Sequence, residues 1–463
     1  MFSLPARATL CSVFLLASFL LVSVVAPGFA GNRWIEGTVS TDLREVLRDD
    51  RRDRIYVSDV GASRILVLDS RSETVVARVA VPPTLNDIAL SRDGTYLLAG
   101  TTHAFVRLHL DDLTAETIPL PVAYPHTVQA LAVEASGLVV ALGWGTRAYV
   151  IDLDREEVLH AFGWERFGWD FPISMIETDA TGTVVWIVST HLNPSSLFGF
   201  DLSDPLRPRE LGRGDRTVGS FMRDFEPAPH RPELYLSPGH PYGIQVFDTL
   251  ALTEVALLPG VLGSPALAVD RSGEHVFCAV GSVHAEDRIL HYGVESRALL
   301  LEYPLEGRAP NDLTRLRGLA VDRRGRKLFV AHGNDSQWSP RSQIQVVDVG
   351  HRVGLDVRPR TPSNLVHVGS NAILPVAILT SAELDATRVD PSTLALGPGE
   401  APALLGRGGA FDVDGDGMPD LVVHFRVADT GLGCDDREVA IRGLAPDGLP
   451  LHGADAIVPV GCR

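Results

Sequence analysis

Two apolar runs separated by a short polar turn recur along most of the chain. "GLAVDRRGRKLFVAHG" (318–333) is one copy. "DIALSRDGTYLLAG" from Asp87, "ALAVEASGLVVALG" from Ala130, "MIETDATGTVVWIVS" from Met175 and "ALAVDRSGEHVFCAV" from Ala266 repeat it. Looser copies begin at Glu45 and Asp224, which makes seven. The anchor residues Leu47, Ala89, Ala132, Glu177, Phe225, Ala268 and Ala320 lie 42 to 52 residues apart. Alternating short apolar runs bounded by Gly, Asp and Ser predict hairpins rather than helices.

After each hairpin comes a third run, such as "ILVLD", "AYVID" or "IQVVD", and then a more polar fourth, such as "ETVVARV". Four short strands per ~45 residues is the period of a β-propeller blade. The seventh unit lacks a fourth run, while "WIEGTVS" (34–40) precedes the first unit without a partner. That early strand is expected to complete blade seven and so remove the open edges of the ring. The repeats "RIYVSD…ILVLD" and "KLFVAHG…IQVVD" resemble those of YVTN-type seven-bladed propellers over about residues 31–350. The resemblance implies a fold and leaves the function open, since similar rings serve surface-layer proteins, binding modules and some enzymes.

From about Gly354 the rhythm changes to short β runs broken by Pro and Gly, which predicts a small β-sandwich over 351–463. Its blocks "ILPVAILTS", "VDPSTLALG" and "DVDGDGMPDLVVHF" resemble a C-terminal module of secreted bacterial proteins. The fold class expected for the whole is therefore all-β: a seven-bladed propeller followed by a sandwich.

"DVDGDGMPD" carries the most definite chemistry. Asp412, Asp414, Asp416 and Asp420, with the Met418 carbonyl, supply oxygens at the spacing that a hard cation needs, and Gly417 permits the turn. Val423 stands where an EF-hand has its bidentate Glu, so a structural calcium here would draw a further ligand from Asp435, Asp436 or water.

Residues 1–30 read as a signal peptide: Arg7, an apolar core, then "PGFA". Export would leave about 433 residues, enough for two or three domains, with no later run long enough to span a bilayer. The destination expected is secreted, periplasmic or cell-surface. A net charge of −17 argues against a nucleic-acid partner. Of the 4 cysteines, Cys434 and Cys462 flank the last segment and are expected to pair after export. Cys278 reads as a free thiol in a buried strand.

Propeller function resides in loops. The long loops "AFGWERFGWDFP" (161–172), "EGRAPNDLTRLR" (306–317) and "HGNDSQWSPR" (332–341) are expected on one face. Trp164, Trp169 and Trp338 there are candidate contacts for a protein or glycan ligand. His103, His191, His240, His284 and His332 follow second strands and would bind a transition metal only if their loops converged. Asn86, Asp87, Asn311 and Asp312 read as turn caps before inner strands, and "GRGD" (212–215) is a short adhesion-like match. No G-x-S-x-G, H-E-x-x-H, phosphate loop or C-x-x-C is present, so no catalytic residue is assigned. The sequence points to a secreted or surface binding or scaffold protein. The alternative is a propeller enzyme, a lactonase-like hydrolase or a metal-dependent oxidoreductase.

Overall fold

The computed structural model describes residues 32–462, except 125–126, 144–146, 164–173, 191–193, 214–217, 260–265, 283–284, 307–311, 335–340, 362 and 383. The signal-peptide reading lies outside these residues.

Six antiparallel four-stranded sheets follow one another in chain order. Their innermost strands are Leu43–Arg48, Leu85–Leu90, Ala130–Val133, Ser174–Thr178, Asp224–Pro227 and Ala266–Val269. A seventh sheet takes Asp312–Val321, Lys327–Asn334 and Ser342–Asp348 from the far end of the repeat and Arg33–Trp34 from the near end. Each innermost strand touches the next, and the seventh touches the first. The result is the closed ring of a β-propeller, with the early strand paired antiparallel to Ser342–Asp348 as expected.

The apolar runs follow from this geometry. Each sheet stands between two neighbours, so both faces of its middle strands are covered. Arg54–Asp59 and Arg64–Asp69 are accordingly buried almost throughout, whereas the outer Thr74–Ala80 alternates between exposed and half-buried. A separate apolar core fills each gap between sheets, including the closing gap, where Phe329, Ala331 and Ile344 meet Ile55, Val57 and Leu66. The recurring Gly at the end of the tight turn is a backbone requirement. Gly94, Gly137, Gly182, Gly273 and Gly325 all have φ between 62° and 89°, a region unfavourable to residues with a Cβ.

One expected loop is partly strand. Residues 312–317, read above as the end of an interblade loop, belong to the inner strand of blade seven, which is irregular between Thr314 and Leu319. The polar irregularity masks the strand period.

Beyond the ring, two sheets enclose one core. The five-stranded sheet contains Pro450–Ala456 and Glu438–Leu444, and the four-stranded sheet contains Ile373–Ile378 and Asp420–Arg426. Val376, Ile378, Val423 and Phe425 pack against Leu396, Val439, Ile441 and Leu451 between them. Cys434 and Cys462 are disulfide-bonded, with Cα atoms 5.8 Å apart. Cys278 is buried and keeps its thiol outside any disulfide, as expected.

Candidate functional site

Charge converges on the axis of the ring. Arg317, in the irregular part of the seventh inner strand at φ 55°, turns its guanidinium inward. It meets Glu45 of blade one at 2.9 Å, Asp87 of blade two at 3.4 Å and Asp224 of blade five at 3.8 Å, and it donates to Glu177 of blade four. Three of these carboxylates also accept a backbone N–H from the next blade. Glu45 accepts from Ile88 at 3.0 Å, Asp87 from Leu131 at 2.7 Å and Asp224 from Leu267 at 2.8 Å. Asp87 is therefore an interblade clamp and not the turn cap expected from sequence. Asn86 beside it likewise donates across the gap, to the Val128 carbonyl at 2.8 Å.

The electrostatics follow from burial. Burial and the neighbouring Glu45 push the Asp87 carboxyl well above its usual range, against the pull of Arg317. Burial and Glu226 raise Asp224 in the same way. Burial disfavours the Arg317 cation, but Glu45 and Asp87 more than offset that and hold it protonated. One guanidinium thus ties its own sheet to four others, through hydrogen bonds to Asp87 and Glu177 and ion pairs to Glu45 and Asp224.

Beyond this knot lies a cavity of about 550 Å³. Its walls are the C-terminal halves of the inner strands, including Leu47, Ala132 and Leu319, with Glu177 and Glu226 as acids. Its rim carries Asp50, Arg92, His230 and Arg271, so it lies at the tight-turn end of the axis. Burial pushes the Glu226 carboxyl up to about 7, with Arg48 pulling down and Glu45 pushing further up.

In the C-terminal unit, Asp412, Asp414 and Asp420 place one carboxylate oxygen each within 4.8 Å of one another. Asp420 is buried and orders the loop, accepting from Val413 N–H and Thr380 N–H at 2.8 Å each. Asp412 accepts from Gly415 and Gly417, while the Asp416 carboxylate accepts from Met418 N–H. Asp356 is the additional acid at this loop. Burial, then Asp455, then Asp414 and Asp420, raise its carboxyl. Asp436, offered above as a ligand with Asp435, instead accepts from Gly433 in its own turn, and both line the cleft between the C-terminal unit and the ring.

Trp164, Trp169, Trp338, His191, His284 and Asn311 lie outside the described residues, as does the second half of "GRGD", whose first two residues end the strand Arg209–Arg213; the Asp312 side chain is likewise not described. His103 is exposed, His240 packs on Tyr242, and His332 is buried against Trp34 with ring centres 5.3 Å apart. None of these three belongs to a metal-competent cluster among the described residues. Sequence reasoning missed Arg317 and a group that does cluster, His275, His291 and His452. The only signal of Arg317 was an arginine ahead of the apolar run "GLAV".

Ring and axis together define the class: a β-propeller whose axis is tied by one arginine, joined to a two-layer β unit. No protein-family model matches the chain, and no curated protein matches it. Among solved structures it is similar to a chain of the Kuenenia stuttgartiensis hydrazine synthase, with TM-score 0.51 and 16% identity, covering 65% of this chain and 96% of that one. At that identity the likeness concerns the fold alone.

Proposed function

We propose that this chain is an exported binding or scaffold protein that presents ligand-binding loops on a rigid propeller of the YVTN type, with a structural calcium in its C-terminal module. The observation that carries the reading is the Arg317 knot. It spends the polar groups of four inner strands on holding sheets together, and so favours a platform over a reaction chamber. A stiff ring lets long loops bind without reorganising their base. The disulfide fits an oxidising compartment.

Calcium fits the loop chemistry. Asp412, Asp414 and Asp420 offer hard oxygens at close range, with Asp416, the Met418 carbonyl and water as further donors. Asp356 adds a nearby negative charge and replaces Asp435 and Asp436 as the outside acid. The ion would neutralise carboxylates that otherwise repel one another.

Screening the purified chain against immobilised glycans and a peptide library tests the binding role. Saturable binding that Trp164→Ala, Trp169→Ala or Trp338→Ala weakens at least tenfold, with unchanged melting temperature, supports it. Binding indifferent to all three, or no saturable binding in either set, removes the long-loop face as the ligand site.

A further inference from the structure

We propose that His275, His291 and His452 form a site for a zinc-class divalent transition cation between the ring and the C-terminal unit. His275 and His291 lie on adjacent strands of blade six, His275–Ser282 and Ala285–Gly293, and His452 on Pro450–Ala456. One nitrogen from each lies within 4.8 Å of the other two. Nδ1 of His275 is hydrogen-bonded to Nε2 of His291 at 2.8 Å. Two nitrogens bound tetrahedrally to zinc at ~2.0–2.1 Å stand about 3.3 Å apart, so this pair is within half an ångström of ligand spacing.

The surroundings prepare the nitrogens as ligands. Tyr303 donates its hydroxyl hydrogen to the Val349 carbonyl at 3.1 Å. Its oxygen is thereby left to accept from His291 Nδ1–H at 3.2 Å, which places the His291 lone pair on Nε2. His452 is 5% exposed, and its buried Nδ1 has no hydrogen-bond partner; the same holds for Nε2 of His275. A buried polar atom left unpaired costs about 1–3 kcal/mol, and a cation supplies the missing partner for His452. Burial also holds all three imidazoles below their ordinary range, His452 down to about 3, and the proton in the His275 Nδ1–His291 Nε2 hydrogen bond would move to Nε2 of His275 when the cation takes both facing nitrogens. The charged groups nearest the cluster are Asp270, Glu274 and Arg352, and Arg352 is paired with Glu274.

Imidazole donors select zinc, copper, nickel or iron over calcium. His275 and His452 line a cleft of about 1120 Å³ between the two parts of the chain. That cleft is an entry path, and it leaves one coordination position to water. Bound metal would lock the orientation of the C-terminal unit on blade six.

The test uses the full chain after chelator treatment and dialysis. Calorimetric titration with Zn²⁺ and visible spectroscopy with Co²⁺ are expected to give one equivalent, with tetrahedral cobalt bands that Zn²⁺ erases and Ca²⁺ does not. His452→Gln should weaken binding at least 30-fold, and Tyr303→Phe, by freeing the His291 tautomer, about 10-fold. His103→Gln, on an exposed loop, should bind as the parent does. No stoichiometric binding by the parent, or parental affinity in a folded His452→Gln, overturns the proposal. Should His452→Gln fail to fold, X-ray absorption at the zinc edge of the parent decides. A shell of three imidazoles upholds the site; one with fewer overturns it.

Discussion

Arg33 and Asp348, 315 residues apart in sequence, form an ion pair at 2.6 Å that fastens the first strand of the described chain to the last strand of the ring. Arg33 also donates to Glu73 of blade one, which pairs with Lys327 of blade seven at 2.7 Å. Lys327 is the only lysine in the chain. The closing seam therefore has an apolar core inside and a four-residue ionic clasp outside. An open ring would leave two sheet edges and one interblade face in water.

Weakening this clasp should loosen the seam before the rest. Burial works against the Glu73 charge, but Arg33 and Lys327 more than offset it and hold its carboxyl below the usual range. A depressed acid stabilises above its unfolded pKa, and that contribution is lost as pH falls through the folded value. Glu73→Gln should therefore lower the melting temperature at pH 7 and lose its effect at the acid end of a pH series. Amide exchange should rise first in Arg33–Trp34 and Ser342–Asp348. An effect that is the same at every pH would deny the ionic role.

Removing Arg317 leaves buried carboxylates without their cation. Arg317→Met should cost about 3–5 kcal/mol in denaturant unfolding at neutral pH, the usual penalty for breaking a buried charge pair. Lowering the pH should recover part of the loss by protonating Asp87 and Asp224, which burial already favours. A loss below 1 kcal/mol would mean that the four acids do not depend on the arginine.

Glu226 gives the opposite sign to Glu73. Its folded pKa of about 7 lies above the ordinary 4.5. From the unfolded value up to the folded one, the native state holds more protons, so stability falls as pH rises across that window. Glu226→Gln should stabilise the ring at pH 8 by about 1–2 kcal/mol, reduced from the full shift because the side chain is only half-buried and lines an open cavity. The benefit should vanish below pH 4. A pH-independent change would locate the effect in packing.

Calcium should separate two aspartates of one loop. Asp412→Ala should lower the melting temperature clearly more in calcium than in chelator, because its hydrogen bonds to Gly415 and Gly417 are exposed and contribute little beside the loss of a calcium donor. Asp420→Ala should destabilise in both, since Val413 and Thr380 lose their acceptor. Equal losses for Asp412→Ala with and without calcium would leave the loop a plain turn.

Repeat and closure were legible because both are periodic. Every inner hairpin buries side chains on two faces, so the apolar runs had to recur at blade spacing, and the orphan strand before the first blade had one vacancy to fill. The loop carboxylates were legible because their spacing is local. Arg317 was not: its four partners stand 93 to 272 residues before it, and they differ in type from blade to blade. The histidine cluster was hidden for a related reason. His275 and His291 sat in runs that read as ordinary strands, and His452 lay about 160 residues further on, in the strand Pro450–Ala456.

The amino-acid sequence by itself determined a ring of seven four-stranded sheets, its closing strand, the disulfide and the acidic loop, because each depends on patterns repeated or completed within one element. Only the tertiary structure decided that one arginine ties the axis, that Asp87 clamps a neighbouring blade, and that three histidines meet beside the C-terminal unit. Those depend on which residues circular closure and docking bring within a few ångströms, and linear spacing carries no measure of that distance.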